Sequence, residues 1–458
     1  MNDNGVAFNQ NAKIMASDEN HYEIMMHRYH SSMQNAEKSA SLYSDLNLER
    51  QRAFYIKDKS LKKLDRLLVE FDTNFSSNGG NVLWANTSDD AKYMIISILN
   101  NHKVKKVLKT NSSTLEEIGL NSFLEMKKIK VIDTNIGDFI CNLMNERPYN
   151  TRSSALRLKT SEVADLYTSE FGIKENCNAR QLTLCTKQLL KNEMLNAGAV
   201  ITGANFLVSE SGSVVLTENE GNIIKSCTYS PVHIIVAGID KMIKSLDELN
   251  VLLPLSSFYE QKANSASYYH IINKPYSDDK IVQDIYLILI DNDRTKILEK
   301  EKQRSILSCV NCGACANVCP IYNIVGGHIY QNNHPGPVGT IIAPLMKLNE
   351  ETSHFCSLCT SCGRCDEVCP INIPLKDLII ENRKDLIKED KSNFSERYFF
   401  NYLIKKMGNR KNLDKYGNVF KDFELKQYIK KKWGNRREFP KFAKESFTDY
   451  WKNLNNIK

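Results

Sequence analysis

The stretch CVNCGACANVCP, residues 309–320, returns as CTSCGRCDEVCP at residues 359–370. In each copy the cysteines are separated by two, two and three residues. A glycine follows the second cysteine (Gly313, Gly363) and a proline follows the fourth (Pro320, Pro370). This is the bacterial-ferredoxin run. Two-residue gaps let a loop wrap one cube and offer it three thiolates together with backbone N–H groups. The fourth thiol turns away and serves the other cluster of a pair. The spacing therefore predicts two [4Fe–4S] clusters with exchanged fourth ligands. Cys309, Cys312, Cys315 and Cys369 would hold one, and Cys359, Cys362, Cys365 and Cys319 the other. Cys356 fits only a two-two-two spacing with no proline after it, and is read as a bystander. Zinc is the competing reading, but its sites pair two C-x2-C knuckles across a long gap and need no third cysteine in each run.

Helical patterns flank the motifs, NEETSHFCSLC before the second and PLKDLIIENRKDLI after it. They point to an α-helical two-cluster module, of the kind found in subunits of respiratory dehydrogenases, over residues 296–385. Clusters whose irons are all thiolate-bound keep no open position, so their expected work is one-electron relay.

Upstream, short apolar runs alternate with helical patterns: NVLWA, then DDAKYMIISILNN; KVLK, then SSTLEEIGLNSFLEM; IKVIDT, then GDFICNLMNE. This alternation predicts a parallel α/β sheet covered on both faces, over residues 56–295. Ser113 and Glu116 have the spacing of a capping box. SLKKLDRLLVEFDTNF places Leu61, Leu64, Leu68, Phe71 and Phe75 on one helical stripe. Residues 1–55 read as a polar, partly helical extension without recognisable chemistry.

Nine of the 13 cysteines lie between 309 and 369, which suits metal-binding thiols of a reducing compartment. The N-terminus lacks a basic segment followed by an apolar one, and no run is long enough to span a bilayer. The expectation is a cytoplasmic protein without a transmembrane segment, with peripheral membrane attachment left open. The net charge of +7 is uneven: residues 371–458 carry 22 Lys/Arg against 12 Asp/Glu. The region 386–458 is read as a basic helical tail, a solvated face or a docking surface for an acidic partner or anionic membrane. Its aromatics (Tyr398, Phe399, Phe400, Tyr402) read as a helix core, which argues against nucleic acid.

Three polar turns are candidates for a ligand cleft: Thr202, Gly203 and Asn205; Glu210 and Gly212; and Asn219, Glu220, Gly221 and Asn222. Gly-flanked polar residues at strand ends can bind an anion or carboxylate, or can simply close and cap turns. Glu210 is the preferred candidate for a functional acid, and His233 reads as a core histidine. No dinucleotide-binding or phosphate-loop glycine motif is present.

The chain resembles the lactate utilisation protein B family, the iron–sulfur subunit of an L-lactate-oxidising system. CVNCGACANVCPIYNIVGGHIY, HPGPVG and SLCTSCGRCDEVCPINIPL match that family's C-terminal half, and ITGANFLVSESGSVVLTENEGN, HIIVAGIDK and DNDR its N-terminal domain. The resemblance spans roughly residues 60–452. It implies a LUD-type α/β domain similar to CoA-transferase and ribose-phosphate-isomerase domains. It also implies two partners, a cysteine-rich subunit of the heterodisulfide-reductase type and a smaller LUD-domain protein. Together they would oxidise L-lactate to pyruvate and pass electrons onward, to a quinone or another membrane acceptor. Within that reading the chain is a subunit of an oxidoreductase and no catalytic residue is named. The alternatives are a general two-cluster carrier for another dehydrogenase, or an α/β domain that is itself the oxidising enzyme. One segment departs from the family: PYNTRSSALR, Pro148 to Arg157, lacks two histidines expected there.

Overall fold

The computed structural model describes residues 3–146, 148–149, 154–174, 177–257, 268–277, 283–330, 334, 336–346, 355–389, 398, 401–402, 404–405, 408–409, 443 and 445–455. Residues 1–385 form one compact unit and residues 386–458 a second.

The first unit is built on six parallel strands: β1 (Asn81–Ala85), β2 (Lys106–Lys109), β3 (Lys130–Asp133), β4 (Ala199–Thr202), β7 (Val232–Gly238) and β10 (Asp284–Ile290), in the order β1-β10-β7-β4-β2-β3. β4 and β7 are buried along their whole length, because helices cover both faces of a parallel sheet and leave no solvated side. On one face lie Leu64, Leu67, Leu68, Phe71 and Phe75 of the helix Leu64–Ser77. On the other lie Ala91, Ile95, Ile98 and Leu99 of the helix Ser88–Asn101. The remaining strands, β5 (Phe206–Val208), β6 (Ser213–Glu218), β8 (Met242–Ile243) and β9 (Tyr268–Ile272), form a second sheet in the order β8-β5-β6-β9.

Three local expectations change. The stripe of SLKKLDRLLVEFDTNF is interrupted at Lys63, so Leu61 belongs to the helix Leu46–Lys62 and packs on a different core from Leu64, Leu68, Phe71 and Phe75. The stretch from Ser113 to Met126 is two helices, Ser113–Glu117 and Leu120–Met126, broken at Gly119, whose φ is +64°. Ser112 is the N-cap and makes no side-chain cap bond. Glu116 is taken instead by the buried Lys109 at the end of β2, 2.5 Å away, so a tertiary ion pair displaces the local cap.

The cysteine region docks on the second sheet through one shared core. Phe206, Val208, Val215 and Ile243 meet Leu307, Val310, Ile341 and Ile371 in it. The N-terminal helices are part of the same unit. Phe8 of Asp3–Met15 packs edge-on against Tyr330, at 5.7 Å between centroids, and against Phe355 at 5.5 Å. Met25 of Glu19–Ala40 joins them with Tyr149 and Tyr322. In the second unit the described pieces include the helix Phe447–Asn455. Tyr398 there is 70% exposed and Tyr402 is also exposed, so neither belongs to a helix core; Phe399 and Phe400 lie outside the described residues.

Candidate functional site

Both cysteine loops use the same backbone device. Asn311 and Gly313 have φ of +55° and +76°; Ser361 and Gly363, at equivalent places, have +57° and +78°. These left-handed residues turn the chain around a centre and start the short helices Ala314–Val318 and Arg364–Glu367, which carry the third cysteine of each loop. The turn aims an N–H at the first thiol: Asn311 N–H donates to Cys309 Sγ and Ser361 N–H to Cys359 Sγ, each at 3.3 Å. The fourth cysteines are served likewise. Cys369 Sγ accepts from Ile373 N–H at 3.3 Å, and Cys319 accepts from the N–H groups of Ile321 and Tyr322. Donors of this kind favour the thiolate that an iron requires.

Thiols of the two loops lie close together, and the fourth cysteine of each loop has neighbours in the other. Cys315 is surrounded by Cys309, Cys312 and Cys369, with Cys365 next. Cys319 has Cys359 and Cys362 as its neighbours, and Cys365 has Cys319 and Cys359. Burial pushes the Cys319 and Cys369 thiols up to about 11, so iron binding must displace their protons. Among the described residues no three His, Cys, Asp or Glu side chains gather around a single ion's position. The residue types, N–H donors and pairing fit cluster ligation.

Cys356 stands apart. It is 0% exposed, its Sγ donates to the Thr340 carbonyl at 3.3 Å, and burial raises it to about 12. The Arg383 guanidinium holds the carbonyls of Cys356 and Cys359, which fixes the entry to the second loop. The two loops differ in setting: Cys312 and Cys315 are buried, whereas Cys362 is exposed.

Two cations near the first neighbourhood are not apparent from the cysteine pattern. Both come from the helix Leu46–Lys62. Lys57, 1% exposed, donates to the Asp240 carbonyl at 2.5 Å and lies near Cys309. Burial pulls its ammonium down to about 8, opposed by Asp240. Arg50 donates to the Glu367 carbonyl and lies near Cys369. A lysine inside the otherwise amphipathic AFYIKDK was the available signal.

A cleft of about 430 Å³ adjoins the first loop. It opens at the carboxyl ends of β2, β3 and β4, where the strand order reverses, the usual ligand position in open α/β sheets. One wall is Val310 and Asn311 of the first cysteine loop, and the Asn311 amide donates to Ser113 Oγ at 3.0 Å. Of the predicted residues, Gly203, Asn205, Asn219, Glu220 and Asn222 line it. Thr202 lies behind it, its hydroxyl 2.9 Å from Nε2 of the fully buried His233. Burial lowers that imidazole to about 3, which leaves it a neutral core histidine. Gly221 is the left-handed cap of the helix Asn222–Tyr229.

Glu210 and Gly212 do not line the cleft. β5 and β6 pair antiparallel, Phe206 with Val215 and Val208 with Ser213, so the Ser209–Gly212 turn lies at the opposite end of the hairpin from Asn205 and Thr217. The Glu210 side chain is 46% exposed and pairs with Lys244 at 3.1 Å. A Cβ on Gly212 would strike the backbone of Asn74 and Phe75, so that glycine serves packing.

The acids at the cleft are Glu218 and Glu220. Glu218 accepts from the N–H groups of Ile223 (2.6 Å) and Ile224 (3.0 Å) and from His270 (2.5 Å). Glu220, exposed at the mouth but raised by the desolvation of the surrounding wall, accepts from Ile136 N–H at 3.2 Å. Both therefore close helix N-termini. Ser154, Ala155 and Leu156 form another part of the wall. Beside that segment His21 Nε2 lies 2.9 Å from Tyr149 OH, and the His328 ring stands 5.4 Å from the Tyr149 ring.

Behind the wall sits Asp138, which accepts from the Asn111 amide at 2.7 Å and from Ser154. Burial raises it from 3.8 to about 6, against the pull of Lys109. The folded chain thus holds a proton that the unfolded chain has released. The associated stability is full below about pH 4 and lost as pH rises through 6, about 3 kcal/mol in all. Asp138→Asn is expected to remove that fall, as followed by urea denaturation between pH 4 and 7.

Among the described residues no helix is long and apolar enough to cross a membrane. Residues 68–297 match the LUD domain family and residues 305–373 the 4Fe-4S dicluster domain family. The chain is 32% identical over 338 residues to a lactate utilization protein B of Macrococcus caseolyticus, covering 73% of this chain and 71% of that one. It is 30% identical over 347 residues to that of Bacillus cytotoxicus, covering 75% and 72%. It is 30% identical over 346 residues to that of a Geobacillus species, covering 75% and 73%. A crystal structure of a DUF162 family protein from Deinococcus radiodurans aligns over 50% of this chain and 98% of that one, at 10% identity and a TM-score of 0.29, too low to bear on the fold. With a parallel α/β domain followed by a two-cluster 4Fe–4S domain, the chain belongs to the lactate utilization protein B family.

Proposed function

We propose that this chain is the iron–sulfur electron-transfer subunit of a complex that oxidises L-lactate to pyruvate. Cys309, Cys312, Cys315 and Cys369 would hold one cluster, and Cys359, Cys362, Cys365 and Cys319 the other. The reading is supported by the neighbours of the fourth thiols: Cys369 lies near Cys309 and Cys315, and Cys319 near Cys359 and Cys362. When bound, the clusters supply one-electron relay chemistry. The chain's own residues supply the thiolates, the N–H donors at Cys309, Cys359 and Cys369, and nearby cations at Lys57 and Arg50. The first loop is buried beside the cleft and the second reaches the surface at Cys362, an arrangement suited to an internal end and a partner-facing end.

On this reading the working boundaries are 56–295 for a LUD-type domain of the CoA-transferase and ribose-phosphate-isomerase kind, 296–385 for the cluster module, and 386–458 for a basic tail that docks an acidic partner or membrane face. The partners would be a cysteine-rich heterodisulfide-reductase-type subunit and a smaller LUD-domain subunit, with a quinone or membrane acceptor beyond and the complex on the cytoplasmic side. A second reading, in which the α/β domain itself takes the substrate, draws support from the cleft wall at Val310 and Asn311. Reconstitution separates them. Addition of L-lactate to the chain with both partners should bleach the visible absorbance of the clusters, and lactate should leave the isolated chain unchanged. Bleaching of the isolated chain favours the second reading; no bleaching in either preparation removes both.

A further inference from the structure

The helix Phe447–Asn455 near the end of the chain presents an apolar side to solvent. Phe447, Tyr450, Trp451 and Leu454 fall at positions i, i+3, i+4 and i+7, an arc of about 100° on one side. All four are between 47% and 69% exposed. The rings of Phe447 and Trp451 stack on each other, 5.9 Å between centroids, so the side chains form one ridge. Local residues close the start of the helix. Ser446 Oγ accepts from Asp449 N–H at 3.2 Å and donates to the Asp449 carboxylate at 2.7 Å, an N-cap that needs no neighbouring element. Asp449 in the first turn and Lys452 in the last suit the helix dipole. Nine residues are few for a helix standing in water, so a surface that takes up the ridge would stabilise it.

The charge of the surrounding chain narrows what that surface is. Residues 386–458 carry 19 Lys/Arg against 9 Asp/Glu, whereas residues 1–385 carry 42 against 45. Attraction to an anionic surface is therefore concentrated in the second unit. Of those cations only Lys452 lies on the helix itself. The rest are spread along the unit's sequence, which suits an extended charged plane better than the rim of one groove. None of the second unit's described residues is buried, and five of the exposed ones are aromatic: Tyr398, Tyr402, Phe447, Tyr450 and Trp451. Exposed Tyr, Trp and Phe within a basic chain match the headgroup level of a bilayer, where such rings bury an apolar body and keep a polar edge in water. Among the described residues no helix is long and apolar enough to cross a membrane, so this helix would lie on one.

We propose that residues 386–458 hold the protein on the anionic face of a lipid bilayer. The helix Phe447–Asn455 lies in the headgroup plane and inserts Phe447, Tyr450, Trp451 and Leu454, while the lysines and arginines of the unit meet the lipid phosphates. Insertion and charge act together, because one weak membrane signal alone gives only marginal, reversible attachment. The proposal rests on the reading of residues 386–458 as a docking tail. It chooses the membrane face over an acidic protein and names the residues that enter it. It does not depend on lactate being the complex's substrate.

The test is anaerobic flotation of the cluster-loaded full-length chain with vesicles, made either of equal parts phosphatidylglycerol and phosphatidylcholine or of phosphatidylcholine alone. The chain should float with the anionic vesicles and bind them at least tenfold more tightly than the neutral ones. It should be released as salt rises from about 0.1 M to about 1 M, which shortens the Debye length from about 10 Å to about 3 Å. Phe447→Ala with Trp451→Ala should weaken binding at least tenfold with iron content unchanged, and Trp451→Phe, which keeps an apolar ring, should retain it. Should the alanine pair unfold the helix, Lys452→Glu, on its exposed polar side, should weaken binding to anionic vesicles severalfold and leave neutral ones unaffected. Absence of flotation overturns the proposal, as does flotation that the alanine pair and Lys452→Glu leave unchanged. Equal binding to both kinds of vesicle overturns the anionic face. No flotation, with the alanine pair preventing co-purification of the partner subunits, would assign the ridge to a protein groove instead. Vesicle binding needs no lactate, and lactate-dependent bleaching in solution needs no vesicles, so the two ideas fail independently.

Discussion

Replacing Cys369 with alanine is expected to remove about half of the chain's iron and to spare one cluster. Cys369 lies fifty-four residues beyond Cys315 in sequence, yet is among its thiol neighbours in the fold. Cys359, Cys362 and Cys365 of the second loop neighbour Cys319, and Cys365 also lies near Cys315. Loss of Cys369 therefore deprives Cys309, Cys312 and Cys315 of their fourth partner. The anaerobically prepared variant should fall from about eight irons to about four, following from four irons per cluster, and keep one reduced-cluster resonance. Cys319→Ala should remove the other signal. Cys356→Ala should keep both, because that thiol is turned to the Thr340 carbonyl. If Cys369→Ala instead removes the signal that Cys362→Ala also removes, the exchanged pairing is wrong.

Lys57→Met is expected to lower the midpoint potential of the cluster held by Cys309 and to leave the other where it is. Each added electron increases the negative charge at the cluster, and a buried cation nearby favours the reduced form. A unit charge about 10 Å away in a medium of dielectric near 20 is worth roughly 1.7 kcal/mol, on the order of 70 mV for a one-electron couple. Methionine keeps the length and apolar stem of the side chain, so packing against the helix and β8 is retained while the charge and the bond to the Asp240 carbonyl are removed. A redox titration followed by electron paramagnetic resonance reads both potentials in one sample. A shift of both clusters, or of neither, would contradict a local charge effect.

The parallel sheet was readable because its strands and helices are local patterns: KVLK and NVLWA are strands, and DDAKYMIISILNN is a helix. The cysteine loops were readable because ligand spacing is itself a geometric constraint. What stayed hidden depends on contacts between distant residues. The capping box expected at Ser113 and Glu116 fails because Lys109 takes the glutamate across the fold. Glu210 was grouped with Asn205 and Glu220 as one cleft, but the β5–β6 hairpin sends it to the far end. Glu218, which no motif marks, holds the N-terminus of the helix Asn222–Tyr229 from the end of β6. Lys57 and Arg50 belong to the helix Leu46–Lys62, which no motif marks. Residues 1–55 carried no motif, yet Phe8 and Met25 complete the aromatic core around Tyr322, Tyr330 and Phe355. Polar helices of this kind reveal their role only when the surface they cover is known.

The most direct measurement is iron, acid-labile sulfide and zinc in the unaltered full-length chain prepared without oxygen. About eight irons and about eight sulfides per chain, with zinc absent, are expected from two clusters of four irons each. Roughly one zinc per four cysteines with no labile sulfide would contradict the two-cluster assignment and the relay built on it.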